Sequence, residues 1–110
     1  MIDDTIAKIE ARIRKANSVP EENKAELLSL FSTFKSEVAQ LAQTHEEQAQ
    51  SITGYSEVSA HEATREQKHP ELLKHSLDGL STSVTGFEES HPELVQIVNR
   101  ICTTLSNLGI

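Results

Sequence analysis

The stretch that decides the fold is residues 70–108, PELLKHSLDGLSTSVTGFEESHPELVQIVNRICTTLSNL. Apolar side chains recur in it at alternating steps of four and three residues, the spacing that places side chains along one face of an α-helix. This C-terminal seam has eleven positions, of which ten are apolar and one is histidine: Leu73, Leu77, Leu80, Val84, Phe87, His91, Leu94, Val98, Ile101, Leu105 and Leu108. Because proline suits the first turn of a helix, Pro70 and Pro92 predict two helices, about 70–89 and 91–107.

Two further seams precede this one. Four isoleucines from Ile2 to Ile13 predict a short helix over about 2–16. The second seam predicts a long helix over about 20–55 with a possible extension to 66, and its positions are Leu27, Phe31, Phe34, Val38, Leu41, His45, Gln48, Ile52 and Tyr55. Residues 56–68 are polar but compatible with a helix, so we expect them to form a poorly buried extension.

These seams predict an all-α protein, with residues 1–110 forming a single helical domain. The expected architecture is a short N-terminal helix plus a long antiparallel helical hairpin with coiled-coil-like seams. If the chain turns near residues 66–70, facing residues have numbers that sum to about 135 or 136, which places His45 opposite His91 and Ile52 opposite Val84.

The far half of such a hairpin, about residues 41–87, would contain only two helices. Two helices leave part of each apolar stripe in water, so this half is predicted to form a homodimer. The expected interaction seam consists of Leu41, Ile52, Tyr55, Leu77, Leu80, Val84 and Phe87. A monomer with a frayed tip is the alternative.

Composition restricts the classes of partner. The net charge is −7 and the isoelectric point is about 5.1, so the surface repels nucleic-acid phosphates and anionic lipids. No run of about 18 apolar residues or basic-apolar leader is present in the sequence. A lone cysteine, Cys102, cannot form an internal disulfide. We therefore expect a cytoplasmic protein, by default a bacterial one, with no nucleic-acid or membrane partner.

Histidine supplies the only candidate chemistry. His45 and His91 interrupt otherwise largely apolar seams, and a buried polar layer of this kind fixes the register of paired helices. A metal site is the alternative, with His45, His91 and Glu88 as candidate ligands, because Glu88 and His91 have the Glu-x-x-His spacing of bundle metal sites. The sequence contains neither a nucleophile elbow nor a glycine-rich phosphate loop. We therefore predict neither catalysis nor a cofactor.

The C-terminal end resembles a known family. The residues that carry the likeness are Phe87-Glu-Glu-Ser-His-Pro-Glu-Leu94 and the close Leu105-Ser-Asn-Leu-Gly-Ile110. The sequence resembles short acidic helical bacterial proteins, catalogued only as a domain of unknown function, with a His-Pro helix start and a Leu-x-Asn-x-Gly-Ile tail. The resemblance is best over 84–110 and weaker over 1–45. It implies a helical fold and no particular activity.

Together these observations predict a non-enzymatic helical self-association and protein-interaction module. Its expected partner is a second copy, and another helical protein is a further candidate. A helical bundle that binds a metal or a small ligand through histidine and glutamate side chains is the alternative.

Overall fold

The computed structural model describes residues 1–109, and every regular element in them is an α-helix. The all-α prediction is confirmed. The five helices, in chain order, are α1 Ile2–Lys15, α2 Glu21–Ala42, α3 Glu46–Thr64, α4 Pro70–Ser83 and α5 Pro92–Gly109. The last residue of the predicted tail, Ile110, lies outside the described residues.

The helix that was predicted to run from 20 to 55 is broken, and that prediction is wrong. The chain leaves helical geometry at His45, whose φ is −138° and ψ is 65°. The amide of His45 still donates to the carbonyl of Leu41 at 2.8 Å, and the Thr44 hydroxyl lies 2.8 Å from His45 Nδ1. Glu46 and Glu47 then begin α3, where negative charge suits the positive end of the helix dipole. The break makes α2 and α3 two separate helices.

Helix α3 is the centre of the molecule rather than a poorly buried extension. Within residues 1–109 it is the one helix that packs against each of the other four. Its buried residues include several small side chains, which let neighbouring helices approach closely: Ala49, Ser56, Ser59, Ala60 and Ala63. The expectation that residues 56–68 are poorly buried is therefore wrong for most of 56–64.

The fold is consequently much shorter than the predicted hairpin. Its extents are 37 × 24 × 21 Å. A straight helix from 20 to 66 alone would span about 70 Å. The radius of gyration is 12.9 Å, close to the value of about 13 Å for a compact chain of this length. Helix α1 packs against α2 and α3, and α5 packs against α2, α3 and α4. The apolar seams therefore cover one another inside a single chain.

The connection between α4 and α5 explains the second difference in helix bounds. Helix α4 ends at Ser83 rather than near 89, and residues 84–91 form turns. Gly86 lies there with φ of +99°, a conformation that side chains with a Cβ rarely adopt. At the other end of α4, His69 Nδ1 accepts a hydrogen bond from the amide of Leu72 at 3.3 Å and caps the helix.

None of the five helices in residues 1–109 combines the length and apolar character needed to cross a bilayer.

Candidate functional site

The predicted interaction seam lies mostly in the core of the monomer. Five of its seven residues are buried: Leu41, Ile52, Leu77, Leu80 and Val84. Phe87 is partly buried, and only Tyr55 is exposed, with 45% of its surface accessible. The physical reason is the break at residues 43–45, which lets the chain cover its own stripes. Of these seven residues, Tyr55 is therefore the one most accessible to another molecule.

A surface that includes Tyr55 lies where α3 packs on α4. The ring of Tyr55 rests on Gly79, so closely that a Cβ at position 79 would lie 2.4 Å from the ring atom Cε1. Val58 is one turn from Tyr55 on α3, and 48% of its surface is exposed. Leu72 is seven residues from Gly79, hence on the same face of α4, and is 44% exposed. We call the surface formed by Tyr55, Val58 and Leu72 the α3–α4 face.

The α3 side of this face carries no formal charge. Ser51, Gly54, Tyr55 and Val58 are all exposed, and their spacing places them along one stripe of the helix. Between residues 48 and 61 the only formally charged side chain is Glu57, although a quarter of the whole chain is charged. A Cβ at Gly54 would meet nothing within 4 Å, so packing inside the chain does not require glycine there. The stripe is thus open to a neighbouring helix.

Sequence reasoning missed Val58 and Leu72 because both lie off the apolar seams. The signal that could have found the surface was the long interval of α3 with a single charge. Interface centres are depleted of charged residues and enriched in aromatic ones.

The histidines predicted to face each other do lie together, but at the surface. The ring centroids of His45 and His91 are 6.5 Å apart, and Phe87 lies edge-on to both, at 5.3 and 5.8 Å. His45 is exposed and His91 is partly buried, so the interpretation as a buried polar layer is wrong. Each Nδ1 contacts a neighbouring hydroxyl, that of Thr44 at 2.8 Å or Ser90 at 3.0 Å.

Carboxylates near these histidines have other partners. Glu88, the third candidate metal ligand, accepts a hydrogen bond from the amide of Gly86 at 2.9 Å, which stabilises the turn after α4. Burial raises the pKa of Glu37, as do the charge of Glu93 and a hydrogen bond to it, while the charge of His91 opposes this. Within residues 1–109, no group of three or more histidine, cysteine or acidic side chains is arranged to hold a metal ion.

The single cysteine is a packing residue. Burial, and next the charge of Asp78, raises the pKa of the Cys102 thiol to about 11. Its Sγ lies 3.9 Å from the carbonyl oxygen of Leu77 on the neighbouring α4. A nucleophilic cysteine needs a lowered pKa, so the environment of Cys102 keeps the thiol protonated and weakly reactive at neutral pH.

Comparison with known proteins supports the resemblance that the sequence of the C-terminal end indicated. Residues 73–110, which comprise most of α4 and all of α5, match the family model of a domain of unknown function, DUF4404. This confirms the resemblance to an uncharacterised family. No curated protein and no solved structure matches the chain significantly.

Proposed function

We propose that this chain is a non-enzymatic helical module that associates with a second copy of itself through the α3–α4 face. One observation carries the proposal. Of the four large apolar side chains that are exposed in residues 1–109, three form this face, and only Met1 lies elsewhere. Exposed apolar side chains that include an aromatic residue are typical of protein–protein interfaces.

Charge restricts where an identical copy can meet this one. Two chains of net charge −7 repel each other over most of their surface. The uncharged stripe on α3 is where two copies can approach with the least repulsion and the least desolvation of charge. A two-fold axis through the face would place the same stripe on both sides of the contact, as most homodimers do.

Gly54 supports this arrangement. An exposed glycine in a helix costs about 1 kcal/mol relative to alanine, and packing among the described residues leaves open space for a Cβ at this position. A glycine beside Tyr55 lets the backbone of a second helix approach more closely than a side chain would allow. We infer that this contact is the reason for its presence.

The proposal is tested by sedimentation equilibrium over about a hundredfold range of protein concentration. We expect a reversible monomer–dimer equilibrium. Val58→Glu should shift it to monomer because the carboxylate would be buried at the contact. The matched control is Gln96→Glu at an exposed position of α5, which adds the same charge away from the face and should leave dimerisation nearly unchanged.

A second variant separates folding from association. Gly54→Ala should stabilise the monomer, by about 1 kcal/mol, yet weaken the dimer. A wild-type chain that stays monomeric at every concentration would overturn the proposal. So would a dimer that Val58→Glu weakens no more than Gln96→Glu does.

A further inference from the structure

A groove of about 590 Å³ lies between the C-terminal half of α1 and the C-terminal end of α3. Four cationic side chains line it: Lys8, Arg12, Lys15 and Arg65. We propose that this groove binds a small multivalent oxyanion, a metabolite that carries a phosphate group or several carboxylates. The site is separate from the α3–α4 face and does not depend on dimerisation.

The groove concentrates positive charge in an acidic protein. It holds four of the ten Lys and Arg residues of the chain, against Glu57 and Glu66 in its lining and Glu62, which pairs with Arg65 at 3.0 Å, so the local excess is one positive charge (4 − 3). Among residues 1–109, Lys8, Arg12 and Lys15 make no ion pair within 4.0 Å. Three cations around a concave space, without a protein partner, attract an anion to that space.

Helix ends account for part of this cluster. Basic residues often gather at the C-terminus of a helix, where carbonyl groups lack partners, and Arg12 and Lys15 lie in the last turn of α1. Two other lysines bind carbonyls at the helix ends: Lys24 Nζ donates to Arg14 at 2.9 Å, and Lys68 Nζ donates to Ala63. Lys8 lies outside the last turn of α1, so the helix end does not explain its place in the groove.

Arg65 is held in position by a buried carboxylate. Its Nη1 lies 3.0 Å from Glu62 Oε1, and only 7% of the surface of Glu62 is exposed. A guanidinium group has five N–H donors, so most remain for a ligand after this one contact. A fixed, planar guanidinium suits phosphate and carboxylate oxygens, which it can bind through two parallel hydrogen bonds.

The other cations face Arg65 from α1. Lys8, Arg12 and Lys15 are spaced by four and three residues and so share one side of that helix. The volume of the groove falls within the range of about 300 to 1,000 Å³ that is common for small-molecule sites. Glu57 and Glu66 at its border, and the acidic surface beyond, would repel an extended polyanion such as nucleic acid. The charges thus select a compact ligand.

Pyrophosphate and citrate serve as probes, because one presents phosphate and the other carboxylate oxygens. Each is titrated into the ¹⁵N-labelled protein at constant ionic strength and followed by amide chemical shifts. We expect saturable 1:1 binding of at least one probe, with shifts concentrated in residues 8–17 and 64–66. The probe that binds more tightly identifies the oxyanion chemistry that the groove prefers.

Arg12→Gln should weaken binding about tenfold, since it removes a charge-assisted hydrogen bond. The control is Arg14→Gln, which removes the same charge from an exposed position on the same helix outside the groove. We expect it to change affinity less than about twofold, the size of a long-range effect screened by salt. Lys8→Gln is a second groove variant and should behave like Arg12→Gln. The proposal is overturned if neither probe saturates, or if Arg14→Gln and Arg12→Gln weaken binding equally.

Discussion

Replacing Ser59 with alanine should stabilise this protein. Ser59 lies on the central helix α3 and is completely buried, and its hydroxyl has no hydrogen-bond partner within residues 1–109. Ser56, one turn earlier, is equally buried, but its hydroxyl donates to the carbonyl of Thr53 at 2.7 Å. The two serines therefore differ mainly in whether the buried hydroxyl is satisfied.

The magnitude follows from three contributions. A buried polar group without a partner costs about 1 to 3 kcal/mol. Alanine is a better helix former than serine by about 0.5 kcal/mol. Loss of the dispersion contacts of one oxygen atom opposes these by a few tenths of a kcal/mol. Ser59→Ala should thus raise the free energy of unfolding by about 1 to 3 kcal/mol. For Ser56→Ala, the loss of the existing hydrogen bond costs about 1 kcal/mol, which outweighs the gain in helix propensity.

The assay is urea unfolding at a protein concentration low enough to keep the chain monomeric, with thermal melting as a second readout. A gain of 1 kcal/mol corresponds to a rise in melting temperature of about 4 to 8 °C for a chain of this size. Ser59→Ala should lie above wild type and Ser56→Ala at or below it. Equal effects of the two substitutions, or a loss of stability in Ser59→Ala, would refute the reasoning.

Further outcomes are expected at three residues, Cys102, Glu37 and Gly86. Because burial and Asp78 raise the pKa of Cys102 to about 11, a disulfide reagent at about pH 8 should react slowly with the folded chain and rapidly in denaturant. The unfolded thiol loses its proton first as pH rises above about 9, so stability should fall between about pH 9 and 11, and this fall should be absent in Cys102→Ala. Burial and the charge of Glu93 raise the pKa of Glu37, so the folded state binds this proton more tightly and the ionised carboxylate destabilises the fold. Glu37→Gln should therefore slightly raise the melting temperature at pH 7 but not at about pH 3.5. An equal effect at both pH values would contradict this cause. Gly86→Ala should cost about 1 to 2 kcal/mol in urea unfolding because φ is +99° there, whereas Gly54→Ala, at an open helical position, should not destabilise the monomer.

The apolar spacing predicted the helical class but not the path of the chain. The seam passes from Leu41 through His45 to Ile52 at the spacing of an unbroken helix, although the chain turns at residues 43–45. An apolar stripe with this period is compatible with one long helix and also with two short ones. The missed signal was Thr44-x-x-Glu47, a sequence pattern that is common at helix starts. Helix α3 begins within it, but its N-cap is His45 and no side chain caps its first amides. Ser18-x-x-Glu21 is the same pattern, and α2 begins at its last residue, with Pro20 as the N-cap and no side-chain cap.

The central position of α3 was hidden by its serines and threonines. Polar side chains of this kind suggest solvent exposure, yet most of those buried on α3 satisfy their hydroxyls within the helix. Thr53 donates to the carbonyl of Ala49 at 2.8 Å, and Thr64 donates to that of Ala60 at 2.7 Å. Once these hydroxyls are satisfied, the helix buries them at little cost and gains the close packing that small residues allow.

The candidate site was predictable only in part, for a related reason. Antiparallel pairing brought His45 and His91 together correctly, because that depends on register alone. The spacing of apolar residues does not determine whether their stripe is covered by the same chain or by another. Most of the expected interaction seam is in fact covered by the same chain and lies in the core. Tyr55 is the exception: its ring rests on Gly79 at the edge of the α3–α4 contact and remains half exposed.

The claim on which the account depends is that α3 folds back over α1 and α2. It is tested most directly by the distance between nitroxide labels at Asn17 and Glu66, both exposed residues that line the same groove, in a Cys102→Ala background. Pulsed electron paramagnetic resonance should give one short distance, well inside the 37 Å length of the molecule. A principal distance near 70 Å, as expected for an unbroken helix from 20 to 66, would contradict the account.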